Sequence, residues 1–203
     1  MVRSILAGTD EMKQTADIAA LEDAYTANER DARQLLDGLT EADGAWRAAA
    51  ASWSIAECLD HLAVGNRVYV AAMEPAAGHA RRAGRLRRRP ATPGLFGGWF
   101  VKSLEPPVTR KTRAPRKIVP RQSPPLADAA AAFFASHEDV VRFLRDYADL
   151  DLAGVRFANP FVGALRFSLA TGLHVLAAHE RRHLWQAWNV RRQFRPEGGS
   201  RGR

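Results

Sequence analysis

Apolar residues recur at spacings of three, four and seven between positions 15 and 39, as Ile18, Leu21, Tyr25, Ala32, Leu35, Leu36 and Leu39, with no proline among them. That pattern predicts an amphipathic helix. Residues 40–44, Thr-Glu-Ala-Asp-Gly, read as a break. A second helix is expected from Ser54 to about Met73, ahead of Pro75, with Ile55, Leu59, Leu62, Val68 and Ala72 as its stripe. Its start carries a capping-box signal, because the Ser54 hydroxyl can accept from free backbone amides while Glu57, three residues on, reaches back. A third stripe, built on Ala129, Phe133, Val140, Val141 and Leu144, predicts a helix over residues 126–147. After a connector at 148–163, the last helix is predicted over 165–192 on Leu169, Leu173, Leu176, Leu184 and Ala187, and residues 196–203 read as a loose tail.

Four long helices and no strand pattern predict an all-α fold, a four-helix bundle occupying residues 1–195. Residues 76–125 interrupt it with a Gly- and Pro-rich stretch that has no sustained periodicity. A connection of that length can run the length of a bundle, so helices two and three need not be antiparallel neighbours. Within it the aromatic island 95–101, Leu-Phe-Gly-Gly-Trp-Phe-Val, predicts a short docked helix.

Charge changes the picture only locally. The chain carries a formal +8, but thirteen Lys and Arg fall between Arg81 and Arg121 against Glu105 alone. One reading of that segment is a non-catalytic binding module that touches nucleic acid or another polyanion, although no nucleic-acid motif accompanies it. No run approaches the roughly 18 apolar residues of a membrane span, and Asp10 and Glu11 come too early for a signal-peptide core. A cytoplasmic protein with no membrane association is therefore expected. The single cysteine, Cys58, excludes an internal disulfide and a multi-cysteine zinc cage. An apolar stripe left open on one helix would favour a homodimer.

The candidate chemistry lies in the last helix. His179 and His183 are four residues apart and so about 40° apart around the axis, one turn above the other, where both rings can reach one ion. His174 is turned about 140° and 180° from them and cannot easily join. His79 falls in the basic stretch, and His137 reads as a structural residue. His61, in the middle of the second helix, is left as the third ligand, since bundles build metal sites from inward-facing side chains of facing helices. Three neutral imidazoles leave positions open for water or substrate, the pattern of a catalytic centre. Zinc or nickel suits them, and iron(II), manganese and copper are also compatible. Glu57 either orients the His61 ring or stays at the helix cap.

His179-Glu180-Arg181-Arg182-His183 also matches the HExxH string of zinc proteases. The extended form requires a glycine and a third histidine where this chain has Gln186 and Asn189, and the only later carboxylate is Glu197 in the tail. A protease is not expected. Glu180, about 100° from His179, is either an acid or base beside the site or a solvated partner of an arginine.

Two segments together resemble the signature stretches of the DinB-like (DinB/YfiT) superfamily: Trp53-Ser54-Ile55-Ala56-Glu57-Cys58-Leu59-Asp60-His61-Leu62, and residues 177–186 around His179 and His183. Asn159-Pro160-Phe161 through Leu169 is similar to the family's entry into the final helix. The resemblance implies a four-helix bundle with a long crossover between helices two and three. It also implies a divalent metal held by one histidine of the second helix and two of the last, here His61, His179 and His183. Some members are transferases or isomerases that use the metal to activate a low-molecular-weight thiol such as mycothiol, bacillithiol or glutathione.

Overall fold

The computed structural model describes residues 2–108 and 114–193, with side chains from Ala16 onward. The expected tail at 196–203 and the cations Arg110, Lys111 and Arg113 lie outside the described residues. Four long helices make the bundle: α1 (Val2–Leu36), α3 (Ile55–Arg82), α5 (Leu126–Asp146) and α6 (Leu169–Gln193). Among the described residues no helix is long and apolar enough to cross a membrane.

Helix α1 starts earlier than its stripe suggests, with only Gly8 and no proline in residues 2–14 to break it. It stops at Leu36, because Gly38 turns the chain with a φ of +69° that a side chain would resist. The expected break holds a one-turn helix, α2 (Glu41–Ala45), closed by a Thr40/Asp43 capping box. Its Glu41 carboxylate accepts from Leu126 N at 2.6 Å and Ala127 N at 2.9 Å, so α2 supplies the N-terminal cap that Pro125 cannot give α5.

Helix α3 begins at the Ser54/Glu57 capping box, as its sequence predicts, but it does not stop before Pro75. It runs on to Arg82, because Met73 at the expected end and Ala77 and Ala80 beyond it are all buried. Their burial offsets the lost Pro75 N–H, and Pro75 itself faces solvent. Replacing it therefore costs no packing. Pro75→Ala is expected to raise stability by about 1–3 kcal/mol, through the restored hydrogen bond and better helix propensity, read from the urea midpoint.

The basic segment is not structureless. It contains α4 (Leu95–Leu104), which lies on α6 and sets Phe100 at a tilt 5.3 Å from Phe167, just ahead of that helix, and a short 3-10 turn, Arg116–Ile118. Five of its arginines pair with carboxylates of the bundle helices and of the connector after α5: Arg87 with Asp17, Arg81 with Asp149, Arg85 and Arg89 with Asp151, and Arg121 with Asp60. That pairing explains how so cationic a crossover can follow the bundle.

No strand is expected from the sequence, yet the connector folds into a hairpin of β1 (Arg156–Ala158) and β2 (Arg166–Ser168), antiparallel with Phe157 opposite Phe167. These strands are three residues each, too short for alternation to register. Asn159 Oδ1 closes the turn by accepting from Phe161 N and Val162 N at 2.9 and 3.0 Å. Because 166–168 pair as a strand, α6 starts at Leu169 rather than at Leu165.

The core divides into two apolar clusters along the bundle. One holds Leu21, Tyr25, Tyr69, Met73, Phe143, Leu144 and Leu173, and the other Leu35, Leu59, Leu62, Phe133 and Leu184. Between them every long helix places polar residues: Asn28 on α1, Asn66 on α3, Ser136 and His137 on α5, and His179, Glu180 and His183 on α6.

Candidate metal centre

The capping box fixes the start of α3 through Ser54 N donating to Glu57 Oε2 at 2.9 Å and Glu57 N to Ser54 Oγ at 3.2 Å. Glu57 also pairs with Arg47 at 2.5 Å. It stays at the cap and does not orient His61. Three residues on, Asp60 accepts from Arg121 N and Arg121 Nε, both at 2.8 Å. That clamp brings the end of the crossover over α3, where the Ile118 carbonyl accepts from His61 Nδ1 at 2.5 Å. The carbonyl sets the tautomer, so the proton of a neutral His61 sits on Nδ1 and Nε2 presents a bare lone pair.

His61 Nε2 stands 3.0 Å from His179 Nε2. The His183 ring lies 4.4 Å from that of His61 and 4.7 Å from that of His179. One ligand atom from each of the three falls within 4.8 Å of the others. His183 Nδ1 faces Gln186 Oε1 at 3.0 Å, which again leaves Nε2 free. Trp53 covers the cluster, 4.7 Å from the His61 ring and 5.6 Å from the His183 ring. Gly65, one turn beyond His61, makes room for His179: a Cβ there would meet His179 Cε1 at 3.2 Å.

Burial pushes all three imidazoles below their ordinary pKa, His179 and His183 far below; at His61 the Ile118 hydrogen bond and the Asp60 charge oppose it, whereas at the other two the neighbouring rings add to it. For His179 the next cause is His61, and for His183 it is His179 and then His61. All three are therefore neutral at neutral pH. Neutral imidazoles converging by their lone pairs are the donor set of a borderline divalent cation. Two nitrogens on one tetrahedral ion lie about 3.4 Å apart when each bond is ~2.1 Å, so the 3.0 Å His61–His179 approach needs only a small opening. The residues present fit a metal ion.

Glu180 is not part of this cluster. Its carboxylate is fully buried and accepts from Asn28 Nδ2 at 3.0 Å and Asn66 Nδ2 at 2.9 Å, while His137 Nδ1 lies 3.1 Å from both its oxygens. Burial pulls the pKa of His137 down, but the Glu180 hydrogen bond and charge outweigh it, and the net direction is up.

The other histidines lie elsewhere. His174 Nε2 faces the Ala91 carbonyl at 3.1 Å, and His79 is exposed in the last turn of α3 rather than in a loop. Arg181 pairs with Glu105 at the end of α4. Trp99 is 65% exposed on the outer face of α4 and does not wall the site. Cys58 is buried and its thiol is pushed well above the usual range by desolvation, so it is no nucleophile. Sequence reasoning missed the Ile118 carbonyl, for which no side-chain signal exists. It also missed Gln186 as a partner of His183 and Gly65 as the space for His179. A lone glycine inside a helical pattern is the signal that could have drawn attention to Gly65.

Residues 24–187 match a family model described as the DinB superfamily. A comparison with curated proteins finds no match to the chain.

Proposed function

The chain belongs to the DinB superfamily, and from that premise we propose that it is a divalent-metal-dependent enzyme centred on His61, His179 and His183. It acts on a small-molecule substrate as a transferase or isomerase, by way of a low-molecular-weight thiol or a water molecule. The observation that carries the reading is the convergence of three neutral imidazoles whose ligand atoms lie within 4.8 Å of one another. Zinc or nickel suits that set, and an ion held by these three residues would supply a lowered pKa to a bound thiol or water, giving a nucleophile at neutral pH.

The chain's own residues prepare the site. Ile118 O and Gln186 Oε1 hold two rings by their Nδ1 atoms, which keeps both Nε2 atoms turned inward. Trp53 excludes water from the faces of His61 and His183. His179, only half-buried, marks the side on which a small molecule approaches.

Loading the purified chain with cobalt(II) and titrating in glutathione, mycothiol and bacillithiol separately tests the thiol route. One of them is expected to add near-ultraviolet sulfur-to-cobalt absorption. Loss of that signal for all three, in protein that still holds the ion, would retire the thiol and leave water activation.

A further inference from the structure

The polar layer between the two core clusters contains a second buried centre that the metal cluster does not use. We infer that Glu180 is a positioning residue whose carboxylate sets the register of α6, and that it brings His179 and His183 to His61 without itself touching substrate. The inference rests on the metal reading above and assigns the glutamate of the HExxH string a different task from proton transfer.

Three observations carry it. First, the carboxylate of α6 is engaged by a side chain from each of the other long helices: Asn28 of α1, Asn66 of α3 and His137 of α5, at 2.9–3.1 Å. With 0% exposure it has no water to fall back on, so among the described residues those three partners are what solvates it. Second, the pairing across α3 and α6 is in step. Gly65 packs on His179, and the next residue, Asn66, bonds the next residue, Glu180. Sliding α6 by one residue would shift it 1.5 Å and turn it 100°, which would break both pairings and take the imidazoles away from His61. Third, Asn66 turns its Nδ2 to the carboxylate and leaves its own buried Oδ1 without a partner among the described residues. The amide is oriented for the acceptor on Glu180.

Helix α1 reads the same register along its length. Tyr25 OH donates to Leu173 O at 2.6 Å, Asn28 Nδ2 to Ala177 O at 3.0 Å, and Trp188 Nε1 donates to Asp31 Oδ1 at 2.9 Å. Of these contacts Asn28 alone also bonds a buried charge. Glu180 is thus where helix register and the geometry of the ligands are set together.

The test uses the full chain with Glu180→Gln and Glu180→Ala, each checked for helical content by circular dichroism. Cobalt(II) affinity is measured by chelator competition, and coordination by the visible d–d spectrum. Affinity is expected to fall about tenfold in Glu180→Gln and about 100-fold in Glu180→Ala, with the d–d bands displaced in both. A role in stability alone would lower the melting temperature and leave affinity and spectrum in place. If Glu180→Ala does not fold, Glu180→Gln decides. A folded Glu180→Gln with wild-type affinity and bands overturns the inference, and if it also loses turnover, the residue is the base. Wild-type protein that takes up no cobalt sinks the metal reading, and the inference with it.

Discussion

His61→Ala is expected to purify without stoichiometric metal, with affinity lowered by more than about 100-fold, beyond what loss of an outer-shell partner costs. Among the described residues, only His61 reaches the pair from another helix. Without it, His179 and His183 remain two imidazoles on one turn of α6, a chelate of two where the cluster now offers three. The substitution also removes the donor to Ile118 O and the ring packed 4.7 Å from Trp53. An unsatisfied carbonyl and a partial cavity together are worth about 2–4 kcal/mol of stability. Elemental analysis beside chelator competition reads the metal, and urea unfolding reads the rest. His174→Ala is the control. It shares the last helix but faces Ala91 O, and it should keep full metal content. Equal metal in His61→Ala and wild type would place any ion elsewhere in the chain.

How much of this was legible depends on the range of the interaction concerned. Helical periodicity is local, so the apolar stripes of the four long helices could be read directly, and so could the Ser54/Glu57 box, whose partners are three residues apart. Pro75 misled because a local breaker was outweighed by burial of Met73, Ala77 and Ala80, which depends on α3 having neighbours. The hairpin at 156–168 escaped because three-residue strands carry no period, and its closing signal, Asn159, reads equally well as a loop residue.

At the candidate site, spacing alone could turn His179 and His183 to one face and exclude His174. It could not say where Glu180 points. A residue 100° from a ligand either faces water or enters the core, and the outcome depends on Asn28 and Asn66, two asparagines that look like ordinary polar positions within their helices. The charge of the basic segment was visible, but its use was not. Asp17, Asp149, Asp151 and Asp60 are scattered through the chain and meet those arginines only after folding.

Gly65 gives a prediction in which stability and metal affinity move in opposite directions. It is buried inside α3, where a glycine costs about 0.5–1 kcal/mol relative to alanine. A Cβ at that position would lie 3.2 Å from His179 Cε1 and 3.6 Å from His179 Nδ1. The nearer contact requires the ring to retreat by a few tenths of an ångström. In metal-free protein the imidazole can tilt to make that room, so Gly65→Ala is expected to unfold at no lower urea concentration than wild type when a chelator is present. With an ion bound the ring is held by its own coordination and cannot retreat, so affinity should fall about tenfold. Gly65→Val adds two methyl groups against the same ring and should abolish binding. The pair of measurements separates a spacing residue from a merely helical one. A Gly65→Ala protein with wild-type affinity would mean that the His179 ring does not stand against Gly65 when the ion is bound, and that the ligand set closes from another side.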